Sequence, residues 1–282
     1  MDKPKVAVTG ASGFIASYLP RRFEVVPIPR NLEGKRLREF LKREEVKGVI
    51  NLAGESIFGR WTKRKKQRMW QSRVYTTRRV VEAVNSLPQI GFFISVSGTT
   101  LYPNNLLCDE SCTRLEWNRF LSQLIERWEQ EAFRCNKPTA VVRLGVVLGK
   151  GGGFWQKVEK GLKWGVFPVV GSGKNWCSYI DVEEVVEIFH FLMEEKVIGL
   201  FNGTTPNPVQ FYQIGEKYAQ LTKKRIRILQ ISPSLLRPLL GELVDEVLLS
   251  SPKVYPKHLI EKGYTFRYPS IENILEKLVS SS

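Results

Sequence analysis

The stretch that most constrains this chain is Val6–Ala16, VAVTGASGFIA. The apolar run Lys5-Val6-Ala7-Val8 meets Thr9-Gly10-Ala11-Ser12-Gly13 and then the helix-compatible Phe14-Ile15-Ala16. That order predicts a buried strand, a glycine turn and the start of a helix. Such a turn presents backbone N–H groups at the positive end of a helix, a seat for a pyrophosphate. Gly10 would serve the tight turn, and Gly13 would let phosphates approach the backbone near Ser12, Phe14 and Ile15. Ala16 is small enough to keep helix and strand close.

The rest of the N-terminal half repeats the theme. Phe23–Pro29 reads as a second strand. Pro27 and Pro29 alternate in it, so both missing donors face one side, which predicts a sheet edge. Glu33–Glu45 has a helical stripe in Leu37, Phe40 and Leu41, and no further strand separates it from Val46–Ala53. The sheet is therefore expected to stop at the second strand. A helix from Thr62, its N-cap, to Leu87 is long enough to suggest two segments or an exposed first half; a strand at Phe92–Ser97, a helix at Glu116–Asn136 and a strand at Thr139–Leu148 complete the alternation. This pattern predicts an α/β fold, a Rossmann-type parallel sheet covered by helices and shortened on the strand-2 edge. After Gly149 the glycine content rises and the alternation becomes irregular. Helices are expected at Asp181–Glu195, Pro208–Leu221, Leu235–Leu249 and Ile271–Leu278, with strands at Gly199–Gly203 and Ile226–Ile231. Residues 1–150 read as a nucleotide-binding domain and 151–282 as a small C-terminal α/β lobe on the substrate side, interleaved with the last sheet elements.

Ligands of open α/β sheets lie at the C-terminal ends of the strands. The first strand delivers the glycine turn and the second delivers Arg30-Asn31. An acid there would bind a ribose 2′-OH, whereas an arginine pairs with a 2′-phosphate, which points to NADP over NAD. A solvated loop arginine is the plainer alternative. The third strand delivers Asn51-Leu52-Ala53-Gly54-Glu55, small enough for a ribose or adenine to lie on backbone. The fourth delivers Ser97-Gly98-Thr99-Thr100-Leu101-Tyr102. Its hydroxyls, Ser97 and Tyr102 above all, are catalytic candidates, and an ordinary Ser/Thr turn is the competing reading. Arg143 sits in an apolar strand before Gly145, so it needs a buried carboxylate or an anionic ligand.

Taken together, these segments resemble the extended short-chain dehydrogenase/reductase superfamily. They are Thr9-Gly10-x-x-Gly13, Asn51-Leu52-Ala53-Gly54-Glu55, Ser97-x-Thr99-x-x-Tyr102 and Arg143-x-Gly145-x-Val147-Leu148. The chain is more narrowly similar to the atypical epimerase family protein branch. That likeness rests on Arg60-Trp61, Ser72-Arg73, Trp128-Glu129, Gly171-Ser172-Gly173, Pro256-Lys257 and Gly263-Tyr264-x-Phe266-Arg267-Tyr268-Pro269. It implies a Rossmann fold, an NADP (NADPH) cofactor and a C-terminal domain of unassigned role. It also implies cofactor contacts at Arg30, Leu52, Ala53 and Arg73, and it places a dimerisation surface around Trp128, leaving monomer and homodimer open. One departure bears on chemistry. Where the superfamily has its Tyr-x-x-x-Lys pair, this chain reads Phe120-Leu121-Ser122-Gln123-Leu124. Phe120 cannot act as an acid or base, and Leu124 cannot lower a phenol's pKa.

Charge supplies the competing function class. Lys and Arg number 43 against 28 Asp and Glu, a formal net charge of +15. From Ser56 to Val81 there is no acid, and Lys63-Arg64-Lys65-Lys66-x-Arg68 resembles a nucleic-acid patch. A solvated helix face, or attraction for cofactor phosphates, accounts for it as well. Four cysteines without a CxxC pair, and two distant histidines, predict reduced thiols and no metal site. No apolar leader or long charge-free run stands out, so the expectation is a cytoplasmic protein without a membrane partner. Three functions remain: an NADP-dependent oxidoreductase or epimerase-like enzyme on an unknown small molecule, a silent NADP-binding sensor, and a nucleic-acid-associated protein.

Overall fold

A computed structural model describes residues 3–280. Six strands form one parallel sheet: β1 (Lys5–Thr9), β2 (Glu24–Pro27), β3 (Gly48–Asn51), β4 (Phe92–Gly98), β5 (Thr139–Leu144) and β6 (Gly199–Gly203). Their order is β6-β5-β4-β3-β1-β2. The sheet ends at β2, as the proline pattern predicts. The Ile28 amide donates inward to the Val8 carbonyl at 2.8 Å. Pro27 and Pro29, one residue to either side, therefore turn their donorless nitrogens to the open edge.

Side-chain alternation divides the core into two layers. On one face Val6, Val8, Ile50, Ile94, Val142 and Phe201 pack with Leu19 and with Val185, Val186, Phe189 and Leu192 of helix α6 (Val182–Glu194). On the other, Ala7, Val49, Phe93 and Val141 meet Leu37 and Leu41 of α1 (Gly34–Arg43) and Val80 and Val84 of α3 (Thr76–Asn85). Helix α2 (Lys63–Trp70) runs into α3 through a π-turn, Gln71–Tyr75. Thr62 caps α2 through its hydroxyl, which accepts from the Lys65 amide. Helix α4 spans Phe120–Ala132.

The C-terminal lobe adds α5 (Trp155–Lys163), α7 (Phe211–Thr222), α8 (Pro233–Leu240), α9 (Lys257–Glu261) and α10 (Ile271–Ser280). Its own core gathers Trp155, Leu162, Phe167, Tyr179, Ile214, Ile271 and Leu275. Between these, α6 and β6 return to the main sheet.

Three elements differ from the sequence pattern for local reasons. Thr139–Leu148 is not one strand. At Gly145 the chain leaves the sheet, and Val146–Leu148 pairs instead with Tyr179–Asp181. A Cβ at Gly145 would lie 2.4 Å from the Ser178 carbonyl oxygen, so only glycine permits this crossing. Leu235–Leu249 is not one helix. Gly241, at φ +59°, ends α8, and a separate π-turn follows at Val244–Leu248. The helix after the glycine turn is a six-residue 3-10 segment, Ala16–Arg21, with Pro20 inside it. Its dipole is correspondingly smaller than that of a full helix.

Candidate functional site

The site is built at the C-terminal ends of β1, β3 and β4. Gly10 turns the chain at φ +66°, and an added Cβ would meet the Leu52 carbonyl oxygen at 2.7 Å. The Gly13 amide donates back to the Gly10 carbonyl at 2.8 Å and closes the turn, leaving Ser12 and Gly13 exposed. The register behind it is fixed by a buried polar cluster. The Thr9 hydroxyl donates to Asn51 Oδ1 at 2.6 Å and accepts from the Leu52 and Ala53 amides, each at 3.1 Å. Asn51 Nδ2 in turn reaches Thr77 Oγ1 and Ser95 Oγ. Leu52-Ala53-Gly54 is thereby held against the glycine turn.

Arg73 comes to this ledge from the π-helical turn, a local underwinding of the kind that recurs at functional positions. Its Nη2 donates to the Glu55 carbonyl at 3.0 Å and its Nη1 to the Met69 carbonyl at 3.4 Å. The guanidinium stacks 5.4 Å from the Trp128 ring, and a Cβ on Gly54 would lie 3.1 Å from its Cζ. Burial lowers its pKa to about 10, with Glu55 opposing the shift. At neutral pH it is a cation bonded to carbonyls and, among the described residues, to no carboxylate. A cradle that excludes a Cβ at Gly10, beside a partly buried cation held by carbonyls, fits a dinucleotide.

Arg30 and Asn31 stand exposed beyond β2. Phe14 and Ile15 face inward. The Phe14 ring fills the space a Cβ would need at Gly149, Gly152 and Gly153, and Ile15 packs on the sheet core. Both side chains steady the turn, leaving only their backbone for a ligand. Gly145 donates its amide to the Gly203 carbonyl, and the residue serves the strand crossing.

Ser97 and Tyr102 belong to a network the sequence did not reveal. Ser97 Oγ donates to Glu129 Oε1 at 2.6 Å. Arg143 grips the same carboxylate, Nε to Oε1 at 2.8 Å and Nη2 to Oε2 at 2.7 Å. Arg143 Nη1 then donates to the Tyr102 hydroxyl at 2.9 Å, which donates to Asn202 Oδ1, also at 2.9 Å. Glu129 is thus the carboxylate that Arg143 required. Burial opposes the charge of Arg143, yet Glu129 outweighs it and holds the Arg143 pKa above its usual value. Tyr102 is fully enclosed, and burial pushes its pKa up to about 12 against the pull of Arg143. That phenol is not poised to take or give a proton near pH 7. Ser97 already spends its proton on Glu129.

Phe120 and Leu124 occupy the start of α4. The Glu246 carboxylate, from the π-turn of the C-terminal lobe, accepts from the Phe120 and Leu121 amides at 3.0 and 2.8 Å. Phe120 packs edge-on against Trp61, and Lys66 Nζ lies 4.8 Å from its ring centroid. Nothing in the local sequence pattern signals Glu246 as a cap, because it is more than a hundred residues away. Part of the basic segment is compensated. Lys65 and Arg68 pair with Glu55, Lys66 with Glu242, and Arg78 with Glu131. Among the described residues no group of three His, Cys, Asp or Glu could hold a metal, and no helix is long and apolar enough to cross a membrane.

Comparison with known proteins agrees with this architecture. A family model of the NAD dependent epimerase/dehydratase family matches residues 6–202, and a model of a domain of unknown function, DUF1731, matches residues 233–278. The chain belongs to the NAD dependent epimerase/dehydratase family. Among named relatives, it is 30% identical to the epimerase family protein YfhF of Bacillus subtilis, over 98% of each chain. It is 29% identical to the chloroplastic epimerase family protein SDR39U1 homolog of Arabidopsis thaliana, over 97% of this chain and 86% of that one. Its fold is similar to that of the human epimerase family protein SDR39U1, solved with NADPH. The TM-score is 0.87 and the identity 24%, over 99% of this chain and 100% of that one. A dTDP-4-dehydrorhamnose reductase from Bacillus anthracis, solved with NADP, superposes at a TM-score of 0.79 with 15% identity, each chain fully covered.

Proposed function

We propose that this protein binds NADP(H) at the ends of β1 to β4 and serves an oxidoreductase or epimerase-like reaction on a small molecule. The substrate would lie between the sheet ends and the C-terminal lobe. The observation that carries the reading is Arg73, a partly buried cation bonded among the described residues only to carbonyls, set beside the Gly10–Gly13 turn and the Leu52-Ala53-Gly54 ledge. The pyrophosphate would rest on the turn, the adenosine on the ledge, and the 2′-phosphate at Arg30. The human relative solved with NADPH supports the choice of NADP. The cofactor would supply hydride transfer. This chain's residues bind and orient it, and the Ser97–Glu129–Arg143–Tyr102 network stiffens the floor beneath.

A second reading, a ligand-responsive NADP-binding protein without turnover, has its own support. Phe120 and Leu124 stand where the family pattern places an acid and its lysine, and the nearby hydroxyls of Ser97 and Tyr102 are engaged.

Two measurements decide. Fluorescence titration with NADPH and NADH should give a clear preference for NADPH, and Arg30→Ala should erase about tenfold of it. No binding at millimolar cofactor ends both readings. Cofactor oxidation at 340 nm, across carbonyl compounds and nucleotide sugars, separates enzyme from sensor. Turnover that survives in Ser97→Ala and Tyr102→Phe would assign those residues to structure alone.

A further inference from the structure

Arg79 on α3 is a guanidinium whose surroundings are incomplete. Its Nη1 donates to the Arg30 carbonyl at 2.8 Å, which fixes it at the C-terminal end of β2. Its Nε is buried without a hydrogen-bond partner. Of the other cations in this segment, Lys65 and Arg68 pair with Glu55, Lys66 with Glu242 and Arg78 with Glu131, while Arg73 is held by the Glu55 and Met69 carbonyls. Among the described residues Arg79 has no ion pair. The acid that acts on it is Glu33, the N-cap residue of α1, which supplies attraction but no contact within salt-bridge distance. Burial lowers the Arg79 pKa, the sign of a charge held at a cost.

A half-buried cation without a counter-ion costs free energy that structure alone does not recover. Its place is informative. In a sheet of this type the end of the second strand meets the ribose 2′ position of the dinucleotide. We infer that Arg79 is a second contact for the adenosine 2′-phosphate and, with Arg30, sets the preference for NADP over NAD. The inference rests on the NADP reading above and adds a residue that the motif at the end of β2 does not contain. A dianionic phosphate would supply the charge Arg79 lacks. The bond from Arg79 to the Arg30 carbonyl also holds the exposed loop that presents the Arg30 side chain. The phosphate would then gain two guanidinium groups from elements distant in sequence but joined in the structure.

The test is binding, not turnover. Dissociation constants for NADPH, NADH, 2′,5′-ADP and 5′-AMP are measured by calorimetry on the full chain, for wild type, Arg79→Met and Arg79→Lys. Arg79→Met should weaken NADPH and 2′,5′-ADP by about tenfold. NADH and 5′-AMP should stay within about twofold of wild type. Arg79→Lys should fall between, and it carries the test if the methionine variant does not fold. Equal losses for all four ligands would make Arg79 a prop for the loop, and unchanged affinities would remove it from the site; either overturns the inference. If wild type itself does not prefer the 2′-phosphorylated ligands, the NADP reading fails and the inference falls with it. Preference retained in Arg79→Met defeats the inference alone.

Discussion

The Tyr102 phenol is enclosed completely, receives from Arg143 and donates to Asn202. Its folded pKa of about 12 lies above the ordinary tyrosine value near 10. Between those values the folded state holds the phenolic proton and the unfolded state loses it. The stability Tyr102 contributes is thus present below pH 10 and disappears as pH rises toward 12. In urea titrations at pH 9 to 11.5, wild type should lose stability more steeply than Tyr102→Phe. Parallel slopes would mean the phenol ionises freely. The same neighbourhood shows what one residue's sequence context conveys. Arg143 in an apolar strand announces a buried partner, but Glu129 lies on another element and could not be singled out. Gly10 is legible from both sides, since a motif glycine, a positive φ and a 2.7 Å approach to Leu52 coincide.

At the scale of elements, α4 shows how tertiary contacts set a boundary. The sequence pattern runs from Glu116, yet the helix begins at Phe120, where Glu246 takes up the first two amides. A carboxylate at a helix N-terminus satisfies orphan donors and complements the dipole. Glu246→Ala should cost about 1–3 kcal/mol in urea denaturation, and Glu246→Gln less. A silent alanine variant would show that water replaces the cap. The π-turn at Gln71–Tyr75 is another such element. The length of the Thr62–Leu87 pattern suggests two segments or an exposed first half, and only packing against Gly54 and Trp128 brings the Arg73 guanidinium to the strand ends.

For the whole molecule, the two lobes are tied by Glu246 and by the return of α6 and β6 to the sheet. Helix α10 buries Ile271, Ile274, Leu275 and Leu278 in the C-terminal core. At about 1.5–3 kcal/mol per buried aliphatic side chain, α10 contributes on the order of 6–12 kcal/mol. That rivals the total stability of a typical domain, roughly 5–15 kcal/mol. A chain ending at Ser270 should therefore lose its cooperative melting transition by circular dichroism. An unchanged melting curve would mean that the lobe core tolerates its absence. The high net charge also reads differently at this scale, because Lys65, Lys66, Arg68 and Arg78 of the basic segment are spent on Glu55, Glu242 and Glu131.

Local rules settled the sheet, its early end at β2 and the glycine turn, and the family resemblance marked the loss of the tyrosine–lysine pair. The first three depend on residues adjacent in the chain: alternation, proline placement and a turn whose positive φ favours glycine. Tertiary structure alone decided that Ser97 and Tyr102 are tied into a buried network. It also decided that, among the described residues, neither Arg73 nor Arg79 forms an ion pair, and that the C-terminal lobe caps the helix at Phe120. Those outcomes turn on which charges meet across tens to hundreds of residues, and pairing of that range leaves no period in the sequence.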